Sequence, residues 1–106
     1  MSTRLLQKID MIGEHIRYVR EENGLLLREL ADHLSIDTAV LSKIERGERV
    51  FKKTQIKKLS KIFNLDEKSL LSLWLADKIL KATKNENYKI EALKLAIERC
   101  NSQTKS

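Results

Sequence analysis

Residues 27–46 read LRELADHLSIDTAVLSKIER, and this stretch decides the fold. Apolar residues fall at Leu30, Ala31, Leu34, Ile36, Leu41 and Ile44, with polar residues filling nearly everything between them. Leu30, Ala31 and Leu34 share one face of a helix by the 3.6-residue period, and Leu41 and Ile44 share a face of a second helix. Ser35 and Asp37 bracket the break, and Ile36 plugs the corner. The pattern predicts two short helices joined by a tight turn.

Outward from this pair, the same period predicts an all-α chain. Upstream, Ile9, Ile12, Ile16 and Val19 form a stripe that Leu5 extends backward, giving a first helix with Thr3 as its N-cap. Gly13 interrupts that stripe, and Asn23-Gly24 ends it, with glycine suited to a left-handed C-terminal position. The second helix is expected near 26–34. The third begins after Asp37, read as its N-cap, and ends near Gly47. A fourth follows Thr54, turns Ile56, Leu59, Ile62 and Phe63 inward, and stops at Asn64. Asp66, with Ser69 three residues on, caps a fifth that runs to about Thr83. Lys84 to Asn87 is a polar linker. A sixth helix spans about 87–100, and NSQTKS is read as a frayed tail.

Composition narrows the function. At 106 residues the chain fits one domain with a helical appendage: residues 1–83 as the domain and 84–106 as a C-terminal helix and tail for dimerisation or partner binding. No apolar run reaches membrane-spanning length, and MSTRLLQKID lacks a secretory pattern, so the expected location is cytoplasmic. The net charge of +6 is concentrated. Met1 to Ser42 holds five basic and seven acidic residues, Lys43 to Lys61 eight and two, and Ile62 to the end eight and six. The middle segment alone equals the whole balance. A clustered basic stripe is the footprint of phosphate binding, against the plainer reading of a solvated lysine-rich face.

The pair of helices together with this stripe has the form of a helix-turn-helix, whose second helix lies in the DNA major groove. The run from Ile12 to Leu71 resembles the lambda-repressor-like, or xenobiotic-response-element, family. The matching pieces are IGEHIRYVREENG, ELADHLSIDTAVLSKIERGER and TQIKKLSKIFNLDEKSL, and the S-x-I-E-x-G ending at Ser42 to Gly47 is the most specific. The resemblance implies a compact five-helix DNA-binding domain, here with one additional C-terminal helix. It implies an operator-binding protein, usually a two-fold dimer, of restriction–modification controller or phage-repressor type.

The resemblance carries roles onto residues. Thr38, Ala39, Ser42 and Lys43 are the positions that face base edges, on a recognition helix of about 38–46. Lys43 can donate to guanine, while Ala39 and the Thr38 methyl can touch thymine. No Arg, Asn or Gln stands there for bidentate pairing, so shape-dependent readout or the basic stripe is expected to contribute much of the affinity. Phosphate contacts are expected from Arg46, Arg49, Lys52, Lys53 and Lys57. Arg28 is expected to replace the glutamine that the family carries at the start of the second helix, where this chain has Leu26 and Leu27. Leu25 to Leu27 are either a better-packed helix start or an apolar surface for a partner. Ser35 stands where a turn glycine is common. Arg20 and Glu45 are read as a structural ion pair tying the first helix to the end of the third, either buried or exposed.

The C-terminal third carries apolar residues on more than one stripe, and a monomer would leave some exposed. Leu71, Trp74, Leu75, Lys78, Ile90, Leu93 and Ile97 are the expected dimer interface. The sixth helix either folds back on the fifth or pairs across a two-fold axis. His15 and His33 lack metal-ligand spacing and are read as surface groups. Cys100 has no histidine partner and is read as a small apolar residue. No metal, cofactor or enzymatic activity is expected. Two functions from different classes remain: a dimeric transcriptional regulator on a short palindromic operator, and an antitoxin-type or other interaction module whose C-terminal helices bind a partner protein. Double-stranded DNA is the expected partner for the first.

Overall fold

The computed structural model describes residues 11–105, and these form six α-helices. They are α1 (Ile12–Glu22), α2 (Leu27–Leu34), α3 (Thr38–Glu45), α4 (Lys53–Ile62), α5 (Glu67–Thr83) and α6 (Lys89–Lys105). The expected N-cap at Thr3 and the stripe positions Leu5 and Ile9 lie outside the described residues. None of the helices is long and apolar enough to cross a membrane.

A chain without proline must stop its helices by another device, and one device recurs four times. Gly24, Ser35, Gly47 and Asn64 all adopt left-handed φ values, of 66°, 56°, 82° and 52°. In each case the following amide reaches back to a carbonyl one turn inside the helix. Leu25 N–H donates to Arg20 O at 3.0 Å, Ile36 to Ala31 at 3.0 Å, Glu48 to Lys43 at 2.8 Å and Leu65 to Ser60 at 2.8 Å. This six-to-one bond satisfies a carbonyl that the helix end leaves unpaired. Ser35 therefore takes the glycine position in the turn between α2 and α3 as expected, at the steric cost of a Cβ.

The amphipathic stripes of α1 to α5 meet in one core. Ile12 and Ile16 from α1, Leu30 and Leu34 from α2, Leu41 and Ile44 from α3, Ile56 and Leu59 from α4, and Leu70 and Trp74 from α5 are all buried, together with Phe51 from the α3–α4 loop. Leu25 and Leu27 pack against this core while Leu26 stays half-exposed, so the leucine run serves mainly as packing. The helices that pack broadly against one another are α1 with α3 and α5, α2 with α3, and α4 with α5. α6 shares in none of these pairings and buries no side chain among the described residues.

Two residues set the close geometry. Gly13 is buried, and a Cβ there would be driven into the carbonyl of Ile44. What reads in sequence as an interruption of α1 is the point where α1 crosses the end of α3. At the same end of α1, the buried Asp77 of α5 accepts a hydrogen bond from Ile12 N–H. A carboxylate at a helix N-terminus satisfies an orphan donor and complements the helix dipole. This cap comes from 65 residues away, and local sequence gives no hint of it.

Several expectations change. α4 begins at Lys53, earlier than expected after Thr54, because the Gln55 side chain accepts from Lys52 N–H at 2.8 Å and fixes the first turn there. Asp37 occupies the N-cap of α3 with extended backbone, yet its side chain makes no cap hydrogen bond. α2 lacks a capping Ser or Thr, but Glu29 reaches back to accept from Leu26 N–H at 2.7 Å. Asp66 caps α5 as expected, accepting from Ser69 N–H at 2.9 Å. The tail expected to fray after Cys100 is instead helical as far as Lys105, the last described residue. Cys100 itself is exposed.

Candidate nucleic-acid interface

α3 is held from behind and open in front. Leu41, Ile44 and Glu45 point into the molecule, while Thr38, Ala39 and Lys43 are exposed and Ser42 is half-buried. The helical period separates the two sets, so the expected base-reading positions share the outer side.

Arg20 and Glu45 fix the pose of this helix. The Arg20 Nε and Nη2 donate to the two Glu45 carboxylate oxygens at 2.8 and 3.0 Å, and Nη1 donates to Leu25 O at 2.9 Å. The fork geometry suits a bidentate pair, and both residues are buried. The hydrogen bonds that Arg20 donates to Glu45 hold the Arg20 pKa above its ordinary value, against the opposing effect of burial. The structural ion pair read from sequence is therefore present in its buried form. It joins the end of α1, the turn into α2 and the end of α3 in one cluster.

The cations around α3 differ in how they are engaged. Lys43, Arg49, Lys52, Lys53 and Lys57 are exposed and form no ion pair among the described residues, and the same holds for Arg28 on α2. Lys52 and Lys53 flank the start of α4, where backbone N–H groups lack helical partners. Arg46 is different. Its Nε donates to Glu48 at 2.8 Å and its Nη1 to Ser42 Oγ at 2.6 Å. The hydrogen bond from Arg46 lowers the pKa of Glu48 and raises that of Arg46. A phosphate drawing on Arg46 must displace an internal carboxylate, and a base edge drawing on Ser42 must share its hydroxyl with Arg46.

The residues expected at a dimer interface divide. Trp74 is in the core, its indole N–H donating to Phe51 O at 2.8 Å, and is not part of a free face. An indole buried this way needs a partner for its N–H, and the backbone of the α3–α4 loop supplies one. Leu71 is half-buried against the core, and Lys78 lies over the Trp74 ring, 3.9 Å from its centroid. Leu75, Ile90 and Ile97 are exposed, and Leu93 is half-buried. Ile79, Leu80, Tyr88 and Leu95, outside the expected set, are exposed as well. His15 is half-buried, and that burial lowers its pKa.

A family model described as helix-turn-helix matches residues 16–70, just over half of the chain and most of the run that carries the resemblance. A chain of a solved structure described as a SinR protein/SinI protein complex superposes with a TM-score of 0.50 at 25% identity. The superposition covers 88% of this chain and 99% of that one, so it extends beyond the matched residues 16–70. No curated protein gives a significant match.

Proposed function

We propose that this chain, which belongs to the helix-turn-helix family, is a DNA-binding transcriptional regulator that acts as a homodimer on a short two-fold operator. The observation that carries this reading is the outer side of α3. Thr38, Ala39, Ser42 and Lys43 face away from the core on a helix clamped by the buried Arg20–Glu45 pair. In this reading Thr38, Ala39 and Lys43 meet base edges in the major groove, and Ser42 does so on release from Arg46. Arg28, Arg49, Lys52, Lys53 and Lys57 supply phosphate contacts, joined by Arg46 once it leaves Glu48. The basic residues position the duplex, and the modest base-reading set supplies specificity together with DNA shape.

The homodimer reading is supported by Leu75, Ile79, Ile90, Leu95 and Ile97, which leave α5 and α6 with apolar side chains in solvent. Two copies joined through these helices would place two copies of α3 on one duplex, doubling a weak half-site interaction. The similar solved structure is a SinR protein/SinI protein complex, so a hetero-partner for the same helices is the second reading. Selection of bound sites from random duplexes, followed by footprinting, tests the DNA reading: enrichment of a two-fold site is expected, and no enrichment with no salt-sensitive association would end it. Sedimentation across concentration tests the dimer. A chain that stays monomeric at tens of micromolar would leave α5 and α6 to a different protein.

A further inference from the structure

The geometry points to a binding site for a small anionic amphiphile in the hollow between the start of α1, the end of α3 and the end of α5. The hollow has a volume of about 440 Å³, within the usual range for small-molecule sites. Its floor is apolar, made by Ile12, Ile44, Val50 and Leu80. Its rim carries Arg49, Lys81, Lys84 and Lys89. All four cations are exposed, and none is in an ion pair among the described residues.

The helix dipole accounts for part of this rim and fails for the rest. Lys81 and Lys84 sit at the C-terminal end of α5, where a cation is favoured. Lys89 is the first residue of α6, where the dipole disfavours a cation, and Arg49 is in a loop. Three separate pieces of chain, the loop at Arg49, the end of α5 and the start of α6, thus bring like charges around one apolar depression. Each cation raises the energy of its neighbours, and an anion relieves that cost. The one carboxylate in the lining, Asp77, already accepts from Ile12 N–H at the base. The ligand therefore lies with its acyl or aromatic body on the floor and its anionic head at the rim, away from Asp77.

A regulatory consequence rests on the DNA-binding reading above. Arg49 belongs both to this rim and to the expected phosphate contacts, so ligand and duplex compete for it.

Calorimetric titration of the full chain with decanoate tests the site. One decanoate per chain is expected, with decyltrimethylammonium failing to bind and inorganic phosphate binding at least about tenfold more weakly, since it lacks the apolar body. Reversal of two rim charges, Lys81→Glu with Lys84→Glu, is expected to weaken decanoate about tenfold or more. Val50→Asp, on the floor, is expected to do the same, while Lys68→Glu, an exposed charge reversal at the opposite end of α5, leaves binding unchanged. Absence of decanoate binding overturns the proposal. So does equal binding of the cationic amphiphile or of phosphate alone, or a loss with Lys68→Glu matching that with the rim reversal. Decanoate binding by a chain that shows no salt-sensitive DNA association would leave this site standing and remove the DNA reading.

Discussion

Ile16 and Ile97 are the same side chain on two helices of one protein, yet Ile16 is fully buried and Ile97 is 60% exposed. The contrast runs through the whole molecule. From α1 to the first half of α5, each apolar stripe meets another. From Leu75 onward, Ile79, Ile90, Leu95 and Ile97 find no comparable cover within the chain. The dividing line falls inside α5, at the Trp74–Asp77 turn, where the last core side chain and the cap of α1 are both seated. The first region is complete in one chain. The second has the composition of a packing surface without its counterpart, which a regulator of two-fold sites would find in a second copy.

The sharpest way to break this comparison is to attack the clamp of the first region. Arg20→Ala leaves Glu45 buried without its guanidinium and is expected to cost about 3–5 kcal/mol. That is a large share of the roughly 5–15 kcal/mol that holds a small domain together. Urea denaturation followed by circular dichroism reads it, and a loss below about 1 kcal/mol would show the pair to be solvated in practice. Next comes a matched truncation. Leu41→Ala, in the core, is expected to cost about 2–5 kcal/mol. Ile97→Ala is expected to stay within about 0.5 kcal/mol for the folded monomer but to weaken self-association in sedimentation. Similar costs for the two would erase the distinction between the regions.

Most of the first region is legible in sequence, because it follows local rules. The 3.6-residue period locates Leu30, Leu34, Leu41 and Ile44, and the Asp66–Ser69 cap starts α5 where the residue types demand it. The Arg20–Glu45 pair is legible through the family pattern and appears as a bidentate buried contact. What escapes is tertiary. Gly13 reads as a weak point because glycine lowers helix propensity, while its function is to let α1 touch the Ile44 carbonyl. Asp77 reads as one more charge on α5, since nothing local ties it to Ile12. Trp74 reads as part of an exposed surplus because α5 is apolar on several sides, and the Phe51 carbonyl that engages its indole cannot be located from periodicity. The cation stripe is legible as composition, but the capture of Arg46 by Glu48 and Ser42 depends on the turn at Gly47.

Among effects on DNA, the first region also contains a graded series. Arg49→Ala is expected to weaken binding to all sequences and to lower the slope of log affinity against log salt by about one unit. Lys43→Ala is expected to act at one or two base positions, costing about 1–3 kcal/mol on the selected site and little on random DNA. Equal losses on both would remove Lys43 from base readout. Both are measured by fluorescence anisotropy at several salt concentrations, with the α5–α6 face left unaltered so that the proposed self-association is not perturbed.

The smallest expected effect concerns pH, and it again separates the two regions. His15 lies on α1 in the completed half, and partial burial holds its pKa below the usual histidine value near 6.5. The unfolded chain then takes up this proton more readily than the folded one. Stability therefore suffers nothing from His15 above the unfolded value and declines as pH falls from there toward the lowered folded value. His15 is only partly buried, so solvent screens the penalty and keeps it below the effects of the substitutions above. A fall in Tm between pH 7.5 and 5.5 is expected for the native chain, with a shallower fall for His15→Gln. The comparison must be made at a chain concentration low enough to suppress self-association, so that the titration reports on α1 and its core and not on the apolar face of α5 and α6. An identical pH profile for the two proteins would mean that the environment of His15 discriminates no protonation state.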